Sequence, residues 1–249
     1  MVHDHGGRMV EEILRVEKLS KRYGRFWALR ELSFSIREGE IVGFLGQNGA
    51  GKSTAIKILC NLIRPTEGQA YLDGQPITGT SRSGHRSRLG AIVEAPQFYP
   101  QLSGRKNLSL MARIRRVPPE RVDALLEQVG LGGREDERFG RYSMGMKQRL
   151  GLAAVLLHEP SLIILDEPTN GLDPVGTKQI QELIASLQRW HGVSVLLCSH
   201  QLDEVAALCQ RALVLHQGRL LLEQPLNGQE GIQAVRDCFA NLAHQSPAR

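Results

Sequence analysis

The sequence of 249 residues is poor in aromatic side chains, which make up 5% of the chain. Proteins that bind single-stranded nucleic acid without sequence preference stack the bases on aromatic rings, so this scarcity argues against that class of partner. The net charge of +5 is small and does not by itself indicate a nucleic-acid-binding surface. We therefore expect no nucleic acid partner.

Cysteines are few, and the four that occur show no paired spacing: Cys60, Cys198, Cys209 and Cys238. A disulfide framework or a zinc site is recognised by such spacing. Three of the four lie in apolar segments, where a free thiol behaves as a small hydrophobic side chain. The sequence therefore predicts unpaired thiols in a reducing compartment.

Long apolar runs are also missing. No run approaches the roughly 18–20 residues that are needed to span a bilayer, and residues 1–9 contain no apolar signal core. We therefore expect a soluble, cytosolic protein, unless another molecule holds it at a membrane.

The sequence does contain a complete phosphate-binding loop. Residues 46–54 read Gly46-Gln47-Asn48-Gly49-Ala50-Gly51-Lys52-Ser53-Thr54, which satisfies the pattern of Gly, four residues and Gly-Lys-Ser/Thr. Glycines allow backbone N–H groups to surround an anion, and the helix predicted to begin near Gly51 directs its positive end at that anion. Lys52 is expected to reach the outer phosphates and Ser53 to ligate Mg²⁺. The flanking strand and helix argue against a chance glycine-rich turn, so the chain is predicted to bind a nucleoside triphosphate.

Apolar strands that alternate with amphipathic helices predict an α/β fold. We expect a phosphate-loop NTPase core with a mostly parallel sheet and helices on both faces, beside an antiparallel β subdomain in segment 12–77. The Pro118-Pro119 break and an amphipathic pattern over 120–129 predict a helical subdomain inserted at about 101–150. A hairpin is expected at 211–223. These elements predict one domain over 10–241, with loose termini at 1–9 and 242–249.

Two acids, Asp166 and Glu167, follow the apolar strand predicted at 162–165. Asp166 is expected to hold Mg²⁺ through water, as in other phosphate-loop enzymes. Glu167 is placed to take a proton from the attacking water and is the predicted general base. A strand that ends in acids by chance is the alternative, and the phosphate loop earlier in the chain argues against it.

Further motifs resemble those of the ATP-binding cassette (ABC) family. Residues 165–174 look like its Walker B motif and D-loop, and residues 143–149 resemble its signature motif. His200 matches the family's switch histidine, and Tyr23 matches the aromatic residue that stacks on adenine. The motifs occur in the family's order, and the resemblance covers roughly residues 12 to 225.

The resemblance implies that ATP and Mg²⁺ are bound between two copies of the chain in a head-to-tail dimer. His200 would hydrogen-bond the γ-phosphate, and Asp173 would link the two sites across the interface. The signature residues would face the γ-phosphate that the second copy holds: Ser143, Met144, Gly145 and Met146. Ser143 is also expected to cap a helix.

Two positions depart from the family's usual pattern. Met144 and Met146 stand where the common signature has Gly and Gln. Glu94 stands where the family usually has a glutamine that senses Mg²⁺, and Gln97 is out of register with that position. A carboxylate is able to ligate Mg²⁺ but does not donate a hydrogen bond when ionised, so Glu94 is a third expected metal ligand.

Residues 93–100 and 102–108 are similar to ATPase subunits of the bacitracin-resistance and lantibiotic-protection exporters. This implies a separate integral membrane subunit, a place on the cytoplasmic face of the cell membrane, and export of a drug, a peptide antibiotic or a lipid-like substrate. An importer ATPase is one alternative. A non-transport ABC ATPase, acting on ribosomes or as a cofactor-assembly scaffold, is another.

The membrane subunit is expected to dock in a groove lined by residues 97–102, near the Arg82–Arg88 cluster. Phe98 and Tyr99 are predicted to be exposed there, because exposed apolar patches often mark interaction sites. The alternative is that both rings pack inside the helical subdomain.

Overall fold

The computed structural model describes residues 11–77, 88–93 and 96–244. Its strands are β1 (Glu12–Tyr23), β2 (Phe26–Arg37), β3 (Ile41–Gly46), β4 (Glu67–Leu72), β5 (Gln75–Pro76), β6 (Leu89–Ile92), β7 (Leu162–Asp166), β8 (Ser194–Ser199), β9 (Arg211–His216) and β10 (Arg219–Pro225). Its helices are α1 (Lys52–Leu59), α2 (Gly104–Arg115), α3 (Glu120–Gln128), α4 (Met144–Leu156), α5 (Pro174–His191), α6 (Leu202–Leu208) and α7 (Gln229–His244). Within these ranges no helix has the length and apolar character to cross a membrane.

The larger sheet has six strands in the order β10-β9-β3-β8-β7-β6. The pairs from β9 to β6 are parallel, and only the edge pair β10–β9 is antiparallel. Every residue of β3 and β8 is buried, as expected for strands covered on both faces. The predicted core, a mostly parallel sheet with helices, is confirmed.

The smaller sheet has four antiparallel strands in the order β2-β1-β4-β5. It is the antiparallel β subdomain that the sequence predicts. Its two long strands are 12 residues each and reach further than the short apolar runs indicate, because the β1–β2 ladder continues through polar residues to the turn at Gly24.

Successive residues of the central strands supply two different cores. Ile41 and Leu45 of β3 pack in a core shared with α4 and α5. Val42 and Phe44 pack in a second core shared with α1 and the smaller sheet. Because side chains alternate across a strand, the larger sheet divides the protein into layers, and the ends of its parallel strands form an exposed edge where loops gather.

The helices α2, α3 and α4 pack together, as predicted for the helical subdomain. The guanidinium of Arg105 in α2 binds the carboxylates of Asp123, Glu135 and Asp136, which joins α2 to α3 and to the loop that follows it. The helix α4 also contacts α5 and β6 of the core. It therefore connects the helical subdomain to the sheet.

The last described elements are the predicted hairpin and one helix that the sequence analysis did not predict. Gln217 and Gly218 both have positive φ, at 47° and 78°, which is the geometry of a tight two-residue hairpin turn. The helix α7 follows and extends past residue 241. Its residues Val235 and Leu242 are buried, so the amphipathic pattern at 229–244 has a packing partner that only the tertiary structure shows.

Candidate functional site

The phosphate loop lies between β3 and α1, as predicted. Gly49 and Gly51 have φ of 82° and 110°, conformations that side chains with a Cβ rarely adopt. A Cβ on Gly51 would lie 2.7 Å from the Ala28 carbonyl oxygen, so this turn requires glycine for space as well. The N-terminal N–H groups of α1 follow directly and are free to bind an anion.

Lys52 opens α1, and its side chain is only 7% exposed. Its ammonium donates to the Gly46 carbonyl oxygen across the loop. A buried cation needs such partners, and here the partner is the loop backbone itself. The positive charge is therefore held over the turn where phosphates are expected to bind.

Ser53 and Asp166 lie at the same edge of the larger sheet. Ser53 is exposed in the first turn of α1 after β3, and Asp166 is the half-buried last residue of β7. No three His, Cys, Asp or Glu side chains in the described parts of the chain form a metal cluster. Magnesium commonly uses one or two protein oxygens together with water and substrate phosphates, so a hydroxyl and a carboxylate at this edge fit it. Glu94, the third predicted ligand, lies outside the described residues.

The structure brings Glu167 and His200 together. The strand β8 lies between β3 and β7, so the loop after β8 places His200 beside the end of β7. The Nδ1 atom of His200 is 2.8 Å from Oε2 of Glu167. Glu167 has a φ of 50°, and its N–H donates to the Cys198 carbonyl oxygen at 2.9 Å. The sequence placed both residues in one site but did not predict this direct hydrogen bond.

The signature and D-loop residues share a second location. Ser143 caps α4, and its hydroxyl accepts from the Met146 N–H at 3.3 Å, as predicted. Asp173 caps α5 and accepts from the Gly176 N–H at 3.0 Å. Both caps line a cleft of about 350 Å³, together with Met144, Gly145, Met146, Arg149, Gly171, Leu172, Val175, Gly176 and Gln179. Among the described residues, this lining includes none from 46–54.

Tyr23 lies at the end of β1, where it pairs in register with Phe26 of β2. Its ring is 49% exposed, and the ammonium of Lys21 lies 5.2 Å from the ring centroid. An exposed ring of this kind is suited to stacking on a planar ligand. Phe26 is a second exposed ring at the same hairpin, and the family pattern did not identify it.

The predicted docking groove is only partly as expected. A cleft of about 280 Å³ lies between β6, α2 and α4, and its lining includes Gln97 and Phe98 but not Tyr99 among the described residues. Phe98 packs edge-on against Phe139, with ring centroids 5.1 Å apart. Tyr99 is 54% exposed. Of the nearby basic cluster, Arg88 pairs with Asp73 at 2.8 Å, and residues 82–87 lie outside the described ranges.

Two residues to which the sequence analysis gave no individual role lie next to Glu167 and His200. Thr169, in the loop after β7, and Glu204, in α6, are both buried and hydrogen-bonded to each other. No sequence signal distinguishes Glu204 from its neighbour Asp203, because both acids occur in the first turn of one helix, where exposed acids are common.

Comparison with known proteins agrees with this geometry. Residues 29–170 match the family model described as ABC transporter. The bacitracin transport ATP-binding protein of Bacillus licheniformis is 42% identical over 216 residues, which are 86% of this chain and 70% of that protein. The lantibiotic transport ATP-binding protein of Streptococcus pyogenes is 36% identical over 223 residues, which are 90% of this chain and 95% of that protein.

The fold is also found in solved structures. The cbiO1 subunit of an ABC transporter complex from Clostridium perfringens superposes with a TM-score of 0.82 at 30% identity, covering 95% of this chain and 96% of that one. A family match over more than half of the chain and relatives at these identities show that this chain belongs to the ABC transporter family, as an ATP-binding subunit with ATPase activity.

Proposed function

We propose that two copies of this chain close head-to-tail around ATP and that hydrolysis reopens them, which drives a separate integral membrane subunit. The observation that supports this most is the separation of two half-sites. Ser143, Gly145 and Asp173 line one cleft, and no described residue of the phosphate loop belongs to it. A second copy is needed to bring a signature cleft against a phosphate loop.

Nucleotide binding is assigned to the loop and the hairpin. The backbone of residues 46–54 surrounds the phosphates, and Lys52 moves from the Gly46 carbonyl to the outer phosphates. Tyr23 stacks on the adenine. Ser53 and Asp166 hold Mg²⁺, which neutralises phosphate charge when bound. Glu94 is the third proposed ligand of the metal.

Hydrolysis is assigned to Glu167 and His200. Glu167 accepts a proton from the water that attacks the γ-phosphorus, and ADP leaves. The Nδ1–H group of His200 donates to the Glu167 carboxylate and orients it, and in the imidazolium form the Nε2–H group donates to the γ-phosphate, because both ring nitrogens are then donors. One histidine then aligns both the base and the group that is attacked.

The dimer contacts are assigned to the two capped helices. Ser143, Gly145 and the positive end of α4 face the γ-phosphate of the partner copy, with Met144 and Met146 packing beside it. Asp173 lies across the interface and couples the two sites. Residues 10–241 act as the single cassette domain in this assembly.

The relatives named for bacitracin and lantibiotic transport favour an exporter of a drug, a peptide antibiotic or a lipid-like molecule. The chain would then act on the cytoplasmic face of the cell membrane. An importer ATPase and a non-transport ATPase are the other candidates. Capture of a membrane subunit distinguishes a transport function from a non-transport function.

The experiment measures dimerisation and hydrolysis in two variants of the full chain. Glu167→Gln is expected to bind MgATP and to form an ATP-dependent dimer on sizing chromatography, while turnover falls by roughly 100-fold or more, since the base is lost and the geometry is kept. Lys52→Ala is expected to lose ATP binding as well, because its ammonium is the loop's own cation.

The matched control is Glu182→Gln, which removes a carboxylate from an exposed position of α5. It should bind, dimerise and hydrolyse as the unmodified chain does. A Glu167→Gln protein that binds ATP but remains monomeric contradicts the composite site, and normal turnover in that variant contradicts the assignment of the base.

A further inference from the structure

Glu204 is a buried carboxyl group outside the predicted site. It lies in the first turn of α6 and is 3% exposed, whereas the side chain of the preceding Asp203 is 96% exposed. Removing a carboxylate from water costs several kcal/mol unless partners compensate, on the order of the values known for buried charges. A buried acid of this kind needs specific partners to be retained.

One such partner comes from the loop that carries Glu167. The Thr169 hydroxyl donates to Glu204 Oε1 at 2.7 Å, and Thr169 is itself buried in the loop after β7. The helix α6 that carries Glu204 begins at Leu202, directly after the loop of His200, and Glu204 Oε2 is buried with no hydrogen-bond partner among the described residues. Glu204 therefore bridges the end of β7 and the end of β8 from inside the protein.

Glu167 needs this support because its own conformation is strained. A non-glycine residue at a φ of 50° costs on the order of 1 kcal/mol and persists only where its surroundings hold it. Its side chain is partly exposed, and the His200 side chain is more exposed still. The loops beneath them determine where the two groups meet.

We propose that Glu204 is a positioning residue for ATP hydrolysis, which holds the loop of Glu167 against the helix that follows His200 through its hydrogen bond with Thr169. It does not touch the phosphates. This inference rests on the proposed function, since it takes Glu167 and His200 as the hydrolytic pair. A small misplacement of reacting groups is costly, at roughly 100-fold in rate for about 1 Å, so a lost bridge is expected to lower turnover without weakening nucleotide binding.

The test begins with Thr169→Val, which removes the hydroxyl donor and keeps the shape of the side chain. We expect kcat to fall by about 10-fold or more and KM for MgATP to change by less than about 2-fold, because the phosphate loop is untouched. Glu204→Ala should show the same pattern. Glu204→Gln keeps an amide oxygen that accepts from the Thr169 hydroxyl, so it should restore most of kcat.

The control is Ser186→Ala, which removes a buried hydroxyl that donates to the Leu183 carbonyl oxygen within α5 at 2.6 Å. It should lower thermal stability by an amount similar to Thr169→Val and leave kcat unchanged. An equal loss of kcat in Ser186→Ala, or a Glu204→Gln protein as slow as Glu204→Ala, overturns the positioning role. Because Thr169→Val and the two Glu204 variants test opposite ends of one bond, a folding failure on one side leaves the other to decide.

Glu167→Gln and His200→Ala are measured in parallel. If both retain normal kcat, the proposed function fails and this inference fails with it. If both lose hydrolysis while Thr169→Val and Glu204→Ala keep it, the hydrolytic pair stands and only the positioning role is overturned. Loss in all four, with rescue by Glu204→Gln, is the supporting result.

Discussion

Individual residues show how burial decides chemistry near the site. Cys60 and Cys198 flank the end of β7 and are unpaired, as the lack of paired spacing indicated. Burial, and then the negative charge of Asp166, raises the pKa of the Cys60 thiol to about 12. The same two causes raise the pKa of Cys198. Thiols with raised pKa values are poor nucleophiles, so neither cysteine is expected to take part in the reaction.

This shift predicts slow alkylation of Cys60 in the native protein. With a pKa of about 12, roughly one Cys60 in 10,000 is a thiolate at about pH 8, against about a quarter of free cysteines. Reaction with iodoacetamide at that pH, followed by peptide mass spectrometry, should therefore be about 1,000-fold slower than in denaturant. Equal rates in the native and the unfolded chain would contradict the burial of this thiol.

The Glu204 carboxyl group makes the folding stability of the protein depend on pH. Burial raises the pKa of its carboxyl group above the ordinary value, while the nearby hydroxyl groups of Ser199 and Thr169 partly oppose the shift. A raised folded-state pKa means that the carboxylate form is less favoured in the folded protein than in the unfolded chain. Its burial therefore costs stability as pH rises from the unfolded to the folded pKa, and it costs nothing below both.

At the scale of elements, α4 and α5 act as a pair. Ser143 and Asp173 cap their N-termini at one cleft. The guanidinium of Arg149 in α4 donates to Gln179 in α5 at 2.9 Å and to the Val129 carbonyl oxygen at 2.7 Å. These bonds join the helical subdomain to the core beside the cleft that the signature and D-loop residues line.

The cleft between β6, α2 and α4 carries a prediction about docking. Because Phe98 packs on Phe139 and Tyr99 is exposed, substitutions of the two rings are expected to have different effects. Phe98→Ser should destabilise the protein by about 2 kcal/mol through lost packing. Tyr99→Ser should leave the melting temperature and basal ATPase activity unchanged and weaken capture of the membrane subunit.

The two single variants separate the packing role of Phe98 from the docking role proposed for Tyr99. Thermal melting and capture from a detergent extract are measured for each. If Tyr99→Ser captures the membrane subunit as well as the unmodified chain does, the exposed ring is not part of the docking surface.

At the scale of the whole molecule, the proposed function places two half-sites on each copy of the chain. The phosphate loop and the hydrolytic pair lie at the edge of the larger sheet, and the signature and D-loop line a separate cleft. In the proposed function a second copy completes both half-sites, and the relatives named as ATP-binding subunits of transporters imply a membrane partner. Oligomeric state and partner capture are therefore the properties that test the assembly.

Capture of the partner is the prediction at this scale. The tagged full chain, cross-linked in its own cells and extracted with detergent, should retain an integral membrane protein in roughly stoichiometric amounts, as a stable transport assembly requires. Recovery of a soluble assembly protein or of ribosomes, with no membrane protein, would support the non-transport alternative instead.

The features that the sequence determined by itself are local ones. The phosphate loop, the Ser143 cap and the Gln217-Gly218 turn each depend on residues a few positions apart, and their geometry follows from glycine conformations and helix-end hydrogen bonds. The mostly parallel sheet also follows from the alternation of apolar strands and helices along the chain. These features were predicted correctly because near neighbours in sequence decide them.

What only the tertiary structure decided is which distant residues meet. The strand order β3-β8-β7 places His200 against Glu167. The apolar pattern of one strand does not specify which strands lie beside it. Glu204 is buried beside an exposed Asp203, and Phe98 is partly buried beside an exposed Tyr99, because different groups pack against each side chain. Contacts of this kind arise from the pairing of strands and the packing of layers, whose partners lie far along the chain.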